Sequence, residues 1–225
     1  MKNPAIIFKG SPKNATYLND AGFDILSLGN NHSMDQGRVA LQNTIDVLSK
    51  EGIITVGAGE NYEEAHSVKF IDKNGKKFGF LAYSLFPPEG YFYFDNKVDV
   101  ALFNEKVSEE ILKAKVQCDF LIVSYHWGIE FSKYKSDIQT KAAHLSIDNG
   151  ADLVVGHHPH VIQRMEKYKG KYIFYSLGNF IFDNQNPIGT NETVMPIVSI
   201  SQNEVVSYEL IPLVITSSQP RIPSE

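Results

Sequence analysis

Apolar residues first become regular over residues 23–28, Phe-Asp-Ile-Leu-Ser-Leu, which predict a short strand running into the polar loop Gly29-Asn30-Asn31-His32-Ser33-Met34-Asp35-Gln36-Gly37. Ahead of it, Ser11-Pro12 and Gly22 bracket a short helix: a capping residue, a proline in the first turn and a glycine stop. Beyond the loop, Leu41, Ile45 and Leu48 recur on one helical face over 38–51, and Gly52 closes that helix before the apolar strand 53–56. The unit reads strand, loop, helix, strand.

A hairpin follows, with 68–71 and 77–83 flanking Asn74-Gly75, the pair that best suits a tight primed turn. Residues 85–100, which include Phe86-Pro-Pro-Glu-Gly-Tyr-Phe-Tyr-Phe, break the periodicity and predict an irregular excursion, either rim packing or a substrate-binding lid. A helix over 103–115 leads to a buried strand at 120–124. A second, over 137–149, leads through Gly150 to a strand at 152–155, and both strands run into histidines. After residue 160 the alternation changes. Residues 161–168 and 172–176 pair around Lys169-Gly170, a loop spans 178–192, and antiparallel strands fall within 194–215. The pattern is that of an α/β domain with a mixed sheet and helices on its faces, one domain over 1–216 with a Pro/Ser tail over 217–225.

Composition narrows the function classes. Of the 225 residues 43% are hydrophobic and 21% charged, which suffices for one sizeable core. The net charge is −5, from 21 basic and 26 acidic side chains, and no basic stripe follows a phosphate backbone, so nucleic acid is not an expected partner. Cys118 is the only cysteine, which excludes an intramolecular disulfide and reads as a small core residue at the start of a strand. No stretch approaches the ~20 apolar residues that span a bilayer, and no signal segment is seen, so the chain as written reads as soluble.

The chemistry concentrates in three loops that follow apolar strands: Asn31-His32, His126, and His158-Pro159-His160. Strand ends of open α/β sheets are where such folds build sites. Neutral imidazoles and an amide oxygen suit zinc, manganese or iron, and a His-x-His pair can serve one centre or two neighbouring ones. Each feature also has a plainer reading. His126 alone fits a hydrogen-bonded loop residue, and Gly29-Asn30-Asn31 fits a turn that needs left-handed backbone angles. Three histidines within the four residues 157–160 are harder to assign to packing.

Five ordered blocks carry a resemblance: Ala21-Gly-Phe-Asp-Ile-Leu-Ser-Leu-Gly-Asn-Asn-His-Ser-Met-Asp-Gln-Gly, Val56-Gly-Ala-Gly, Ser124-Tyr-His-Trp-Gly-Ile-Glu, Asp148-Asn-Gly-Ala-Asp-Leu-Val-Val-Gly-His-His-Pro-His-Val and Phe174-Tyr-Ser-Leu-Gly-Asn-Phe-Ile-Phe. Over about residues 15–200 the chain resembles the CapA-like poly-γ-glutamate capsule-synthesis family, itself similar to calcineurin-like metallophosphoesterases. The resemblance implies an α/β sandwich with a divalent-metal site at the strand ends. Asn31, His126, His158 and His160 match its metal ligands. His32 matches the histidine that contacts or protonates the leaving group, and Asp35 either orients His32 or caps the loop. Glu130 and Asn179 match positions near the site that contact substrate, and Glu130 is also an acid available to complete a metal shell. His157 matches a position that the family leaves variable.

The family's early Gly-Asp block and a second acidic block have no counterpart upstream of Asn31, where Asp20 is the only acid within residues 1–20. The expectation is therefore a domain lacking its N-terminal segment, with one sheet edge exposed. Two dications about 4 Å apart repel strongly, and neutral ligands do not offset that without a bridging anion. One cation, held through the histidines and an acid such as Glu130, is expected rather than two.

Two functions follow from the resemblance: metal-dependent phosphoester hydrolysis or a related capsule-polymer step, and a non-catalytic accessory module, or an inactive fragment, that keeps the fold. Partners implied are an anionic polymer or phosphorylated substrate and membrane-associated capsule machinery. The implied location is the bacterial cell envelope.

Overall fold

The computed structural model describes residues 7–89, 94, 96–182 and 188–223; residues 90–93 and 95 of the expected excursion and 183–187 of the expected 178–192 loop lie outside them. Helix α1 (Asn14–Asp20) starts later than Ser11-Pro12, where the Asn14 N–H closes a turn on the Ser11 carbonyl at 2.9 Å. Strand β1 (Ile25–Ser27), helix α2 (Arg38–Lys50) and strand β2 (Ile54–Val56) form the expected unit. β1 and β2 lie parallel, with Ile25 opposite Ile54 and Ser27 opposite Val56. Leu41 and Leu48 share one face of α2 because they lie two turns apart. Leu48 is buried with Ala15 and Ile53, and Leu41 with Met34, Ala58 and Val100.

Strand β3 (Ala58–Gly59) leads to the single turn α3 (Tyr62–Ala65), where the Asn61 side chain accepts from the Glu64 N–H at 2.9 Å. The hairpin of β4 (Lys69–Lys73) and β5 (Lys76–Ser84) turns at Asn74 and Gly75, whose φ angles of 54° and 74° suit a primed turn. Strand β6 (Asp99–Val100) pairs antiparallel with β3. Helix α4 (Val107–Lys115) begins after the expected residue 103, because the Asn104 side chain takes the Lys106 N–H at 2.8 Å and holds an Asx turn instead. β7 (Phe120–His126) and β8 (Leu153–His157), separated by α5 (Asp137–Asp148) with its Ser136/Gln139 capping box, each run two residues beyond the expected end. Their parallel neighbours keep pairing, Ser84 with His126 and His126 with His157. His126 is thus the last residue of a strand, not a loop residue after one.

Strands β9 (Ile162–Gln163), β10 (Glu166–Tyr168), β11 (Lys171–Phe174) and β12 (Ser176–Leu177) follow. The β10–β11 hairpin is antiparallel as expected, but β11 also pairs parallel with β8 and so extends the main sheet, whose order is β10-β11-β8-β7-β5-β4. Side chains alternate between its faces. Leu81, Tyr83, Val123, Tyr125, Val154 and Ile173 pack against Val107, Ile111, Ala142 and Ile147 of α4 and α5. Phe120, Leu153 and Phe174 face Val198, Ile200 and Val205 of a second sheet, made of β13 (Glu192–Ser201), β14 (Glu204–Thr216) and β15 (Gln219–Arg221). β15 corrects the expected tail from Ser217. Ser217 and Ser218 at φ 50° and 63° make a hairpin turn that returns 219–221 onto Val214–Thr216.

Two features bear on the site. β8 passes so close to Tyr175 and Trp127 that a Cβ on Gly156 would lie 2.2 Å from the Tyr175 carbonyl oxygen and 2.3 Å from Trp127 Nε1, so only glycine fits. Among the described residues β1 pairs with β2 alone, and a groove of about 430 Å³ separates it from Phe80, Ile122, Ser124 and Val155 on the main sheet.

Candidate metal centre

β1, β5, β7 and β8 all end at one place, as parallel strands of an α/β sheet allow. The turn after β8 is strained: His158 and His160 have φ of 99° and 61° around Pro159. Left-handed non-glycine residues cost on the order of 1–3 kcal/mol each, and such strain gathers at functional sites. Backbone bonds tie this turn to the stretch after β7, Trp127 N–H to the His157 carbonyl at 3.0 Å and Phe131 N–H to the Pro159 carbonyl at 2.8 Å. That tie brings Glu130 to the histidines. The donor atoms of Glu130, His158 and His160 all lie within 4.8 Å of one another, the sole such histidine, cysteine and acid group among the described residues.

The donors are oriented as well as close. His160 Nδ1 lies 2.8 Å from Asn179 Oδ1, and Asn179 Nδ2 donates to the Thr190 carbonyl at 3.1 Å. An amide oxygen only accepts, so the proton sits on His160 Nδ1 and Nε2 keeps its lone pair. Asn179, expected to contact substrate, is 8% exposed and its amide bonds both of these groups. Burial, with His160 and His32 nearby, pushes His158 down to about 4. Burial, then His158, His157, His160 and His32, pushes His126 down to about 2, so both rings are neutral near neutrality.

Across from this group, His126 Nε2 lies 2.8 Å from Asn31 Oδ1, and the His126 ring is 4.7 Å from that of His158. Asn31, buried at 7% exposure, also directs Nδ2 at Glu89 Oε1, 3.4 Å away, while its carbonyl takes the Glu89 N–H at 3.0 Å. His32 follows on the same loop, with Nδ1 3.0 Å from Asp35 Oδ2. Asp35 Oδ2 also receives the Phe8 N–H at 2.9 Å, so Asp35 is held from two directions. Aromatic rings rim the site: Phe86 lies 4.7 Å from His158, and Phe182 5.2 Å from His160.

Asn31, His32, Asp35, His126, Glu130, His158, His160 and Asn179 thus fall in one neighbourhood. His157 points elsewhere: it lines the groove beneath β1, and burial pushes it down to about 4. Sequence reasoning missed Glu89 as a partner of Asn31. The signal available was that the strand before Pro87-Pro88-Glu89 is a neighbour of β7, so its end reaches the same place although it carries no histidine. Two imidazoles and a carboxylate are a fitting donor set for one first-row divalent cation such as manganese, iron or zinc.

The family described as bacterial capsule synthesis protein PGA_cap matches residues 1–184. The chain is 32% identical over 209 residues to the capsule biosynthesis protein CapA of Bacillus anthracis, covering 91% of this chain and 51% of that protein. It is also 32% identical over 209 residues to the PGA biosynthesis protein CapA of Bacillus subtilis, covering 90% and 54%. It spans about half the length of these relatives. Among solved structures, a putative 5'-nucleotidase from Staphylococcus aureus superposes with a TM-score of 0.62 at 16% identity, over 96% of this chain and 41% of that one. A phosphatase from Mycoplasma pneumoniae gives 0.60 at 16%, over 91% and 76%. These likenesses show a metallophosphoesterase-like α/β fold. Among the described residues no helix is long and apolar enough to cross a membrane.

Proposed function

Because the chain belongs to the bacterial capsule synthesis protein PGA_cap family, we propose that it processes an anionic capsule polymer of the poly-γ-glutamate type, or a phosphorylated precursor, at a site holding one divalent cation. The observation that carries this reading is the convergence of Glu130, His158 and His160 on the strained turn after β8. Glu130, His158 and His160 would hold the cation, which would supply Lewis acidity toward an electron-rich substrate oxygen.

The chain's own residues do the rest. Asn179 fixes the His160 ring so that Nε2 faces outward from the amide. His32, its Nδ1 held by Asp35, keeps Nε2 as the atom that exchanges a proton at the leaving-group oxygen. Phe86 packs against the His158 ring, and Phe131 and Phe182 against that of His160, which restrains both imidazoles. Work on such a polymer would place the protein at the bacterial cell envelope, beside membrane-associated capsule machinery.

Elemental analysis and titration of the purified chain test this. The expected result is about one manganese, iron or zinc per chain, lost in a His158→Ala/His160→Ala variant, with phosphodiester turnover when manganese is added. A folded wild-type protein that holds none of these ions sinks the reading, and a ratio near two overturns the single-cation assignment. A second reading, a non-catalytic accessory module that binds polymer, is favoured by the direct Asn31–His126 bond, which occupies two donors with each other. Stoichiometric metal with no turnover on any phosphoester or glutamyl substrate would select it.

A further inference from the structure

We propose that Glu89 is a positioning residue of this centre: it orients the side-chain amide of Asn31 so that the oxygen, and not the nitrogen, faces His126. The proposal rests on the reading of Asn31 as part of the centre. An asparagine amide presents an acceptor on one side and two donors on the other, and half a turn about its last torsion exchanges them. Something must therefore choose. On one side Asn31 Oδ1 lies 2.8 Å from His126 Nε2; on the other Asn31 Nδ2 lies 3.4 Å from Glu89 Oε1.

An ionised carboxylate only accepts hydrogen bonds, so it draws the NH2 end toward itself and repels the oxygen. At 3.4 Å the bond is long, and the selection is chiefly electrostatic: rotating the amide would turn Oδ1 onto the carboxylate and leave His126 facing N–H groups. Glu89 is placed for this by its backbone, whose N–H bonds the Asn31 carbonyl at 3.0 Å. The segment before it is pinned by Ser84, whose Oγ donates to the Phe86 carbonyl at 2.7 Å and accepts from the Phe86 N–H at 3.1 Å. Phe86 in turn lies against His158. The short segment 86–89 thus touches both sides of the centre, Phe86 through a ring and Glu89 through charge.

Glu89 does not join the donor group of Glu130, His158 and His160, so its effect passes through Asn31. Outer partners of this kind typically change metal affinity by about 10- to 100-fold. The variants are Glu89→Ala, which removes the acceptor, and Glu89→Gln, whose own amide oxygen can still accept from Asn31 Nδ2. Because Asn31 stands outside the three-donor group, manganese titration is expected to show the lower end of that range, up to about tenfold weaker binding, for Glu89→Ala, with Glu89→Gln recovering most of it. The second readout needs no metal. In 15N-labelled protein the Asn31 side-chain NH2 resonances, identified by their loss in Asn31→Asp, are expected to shift and exchange faster in Glu89→Ala and to stay near their wild-type positions in Glu89→Gln. Unchanged Asn31 resonances in folded Glu89→Ala overturn the proposal. If the wild-type chain binds no manganese, the functional reading fails, while the amide resonances still decide the role of Glu89.

Discussion

On one side of the centre, His158 and His160 are held by backbone: two left-handed residues around Pro159, two main-chain bonds to residues 127 and 131, and Gly156 wedged beneath Trp127. On the other side, the side-chain donors of Asn31 and His126 are engaged with each other, and Glu89 approaches the Asn31 amide. The contrast matters for how a cation would bind. Donors converged by a rigid backbone need no rearrangement to accept it, and preorganisation of this kind favours affinity. Donors that satisfy one another must first give up a hydrogen bond, a net cost of about 1 kcal/mol. The first side should therefore decide whether a cation binds, and the second should tune what it does.

The contrast breaks most severely at Gly156. Alanine there should lower stability by about 3 kcal/mol or more, since neither the Tyr175 carbonyl nor the Trp127 ring can retreat easily. A denaturation midpoint equal to wild type would show that the backbone side is softer than described. Next, His158→Ala/His160→Ala should weaken manganese binding by about 100-fold or more, some 2.7 kcal/mol, while His126→Ala costs less than about tenfold. Equal losses in calorimetric titration would erase the distinction. Asn179→Ala should fall between them at about tenfold, acting through the His160 ring.

The smallest expected effect comes from behind the backbone side, where Glu166 takes hydrogen bonds from Tyr175, whose ring stacks near Trp127. Burial alone would raise the Glu166 pKa, but hydrogen bonds from Lys135, Tyr175 and His144 outweigh it and bring the carboxyl down to about 2. Because the folded-state value lies below the unfolded one, this stabilisation is present above the ordinary carboxylate range and is lost as pH falls toward 2. Water screens the partly exposed pair, so on the order of 1 kcal/mol is at stake. Glu166→Gln should flatten the fall in stability between about pH 4.5 and 2 in urea denaturation; an unaltered slope would remove this support from the picture.

Local rules made much of this legible. The α2 face, the Asn74-Gly75 turn and the strands running into histidines follow from spacing and turn chemistry within a few residues. What was not legible depends on partners far along the chain. The extra residues of β7 and β8 exist because neighbouring strands keep pairing, and β15 exists because β14 offers an edge. In the site, the histidine positions could be read one by one, yet the Asn31–His126 bond joins residues 95 apart and Glu89 meets Asn31 across 58. No periodicity encodes such pairings. Asn179 and His160 were each marked by a motif, but not the bond that joins them.

The chain's single tryptophan has a practical consequence. Trp127 is fully buried, lies flat against Tyr125 at 4.6 Å, and gives its main-chain N–H to His157, one residue before the strained turn. Its emission therefore originates from one known place, and any loosening of the histidine turn would change the light it gives without an added label.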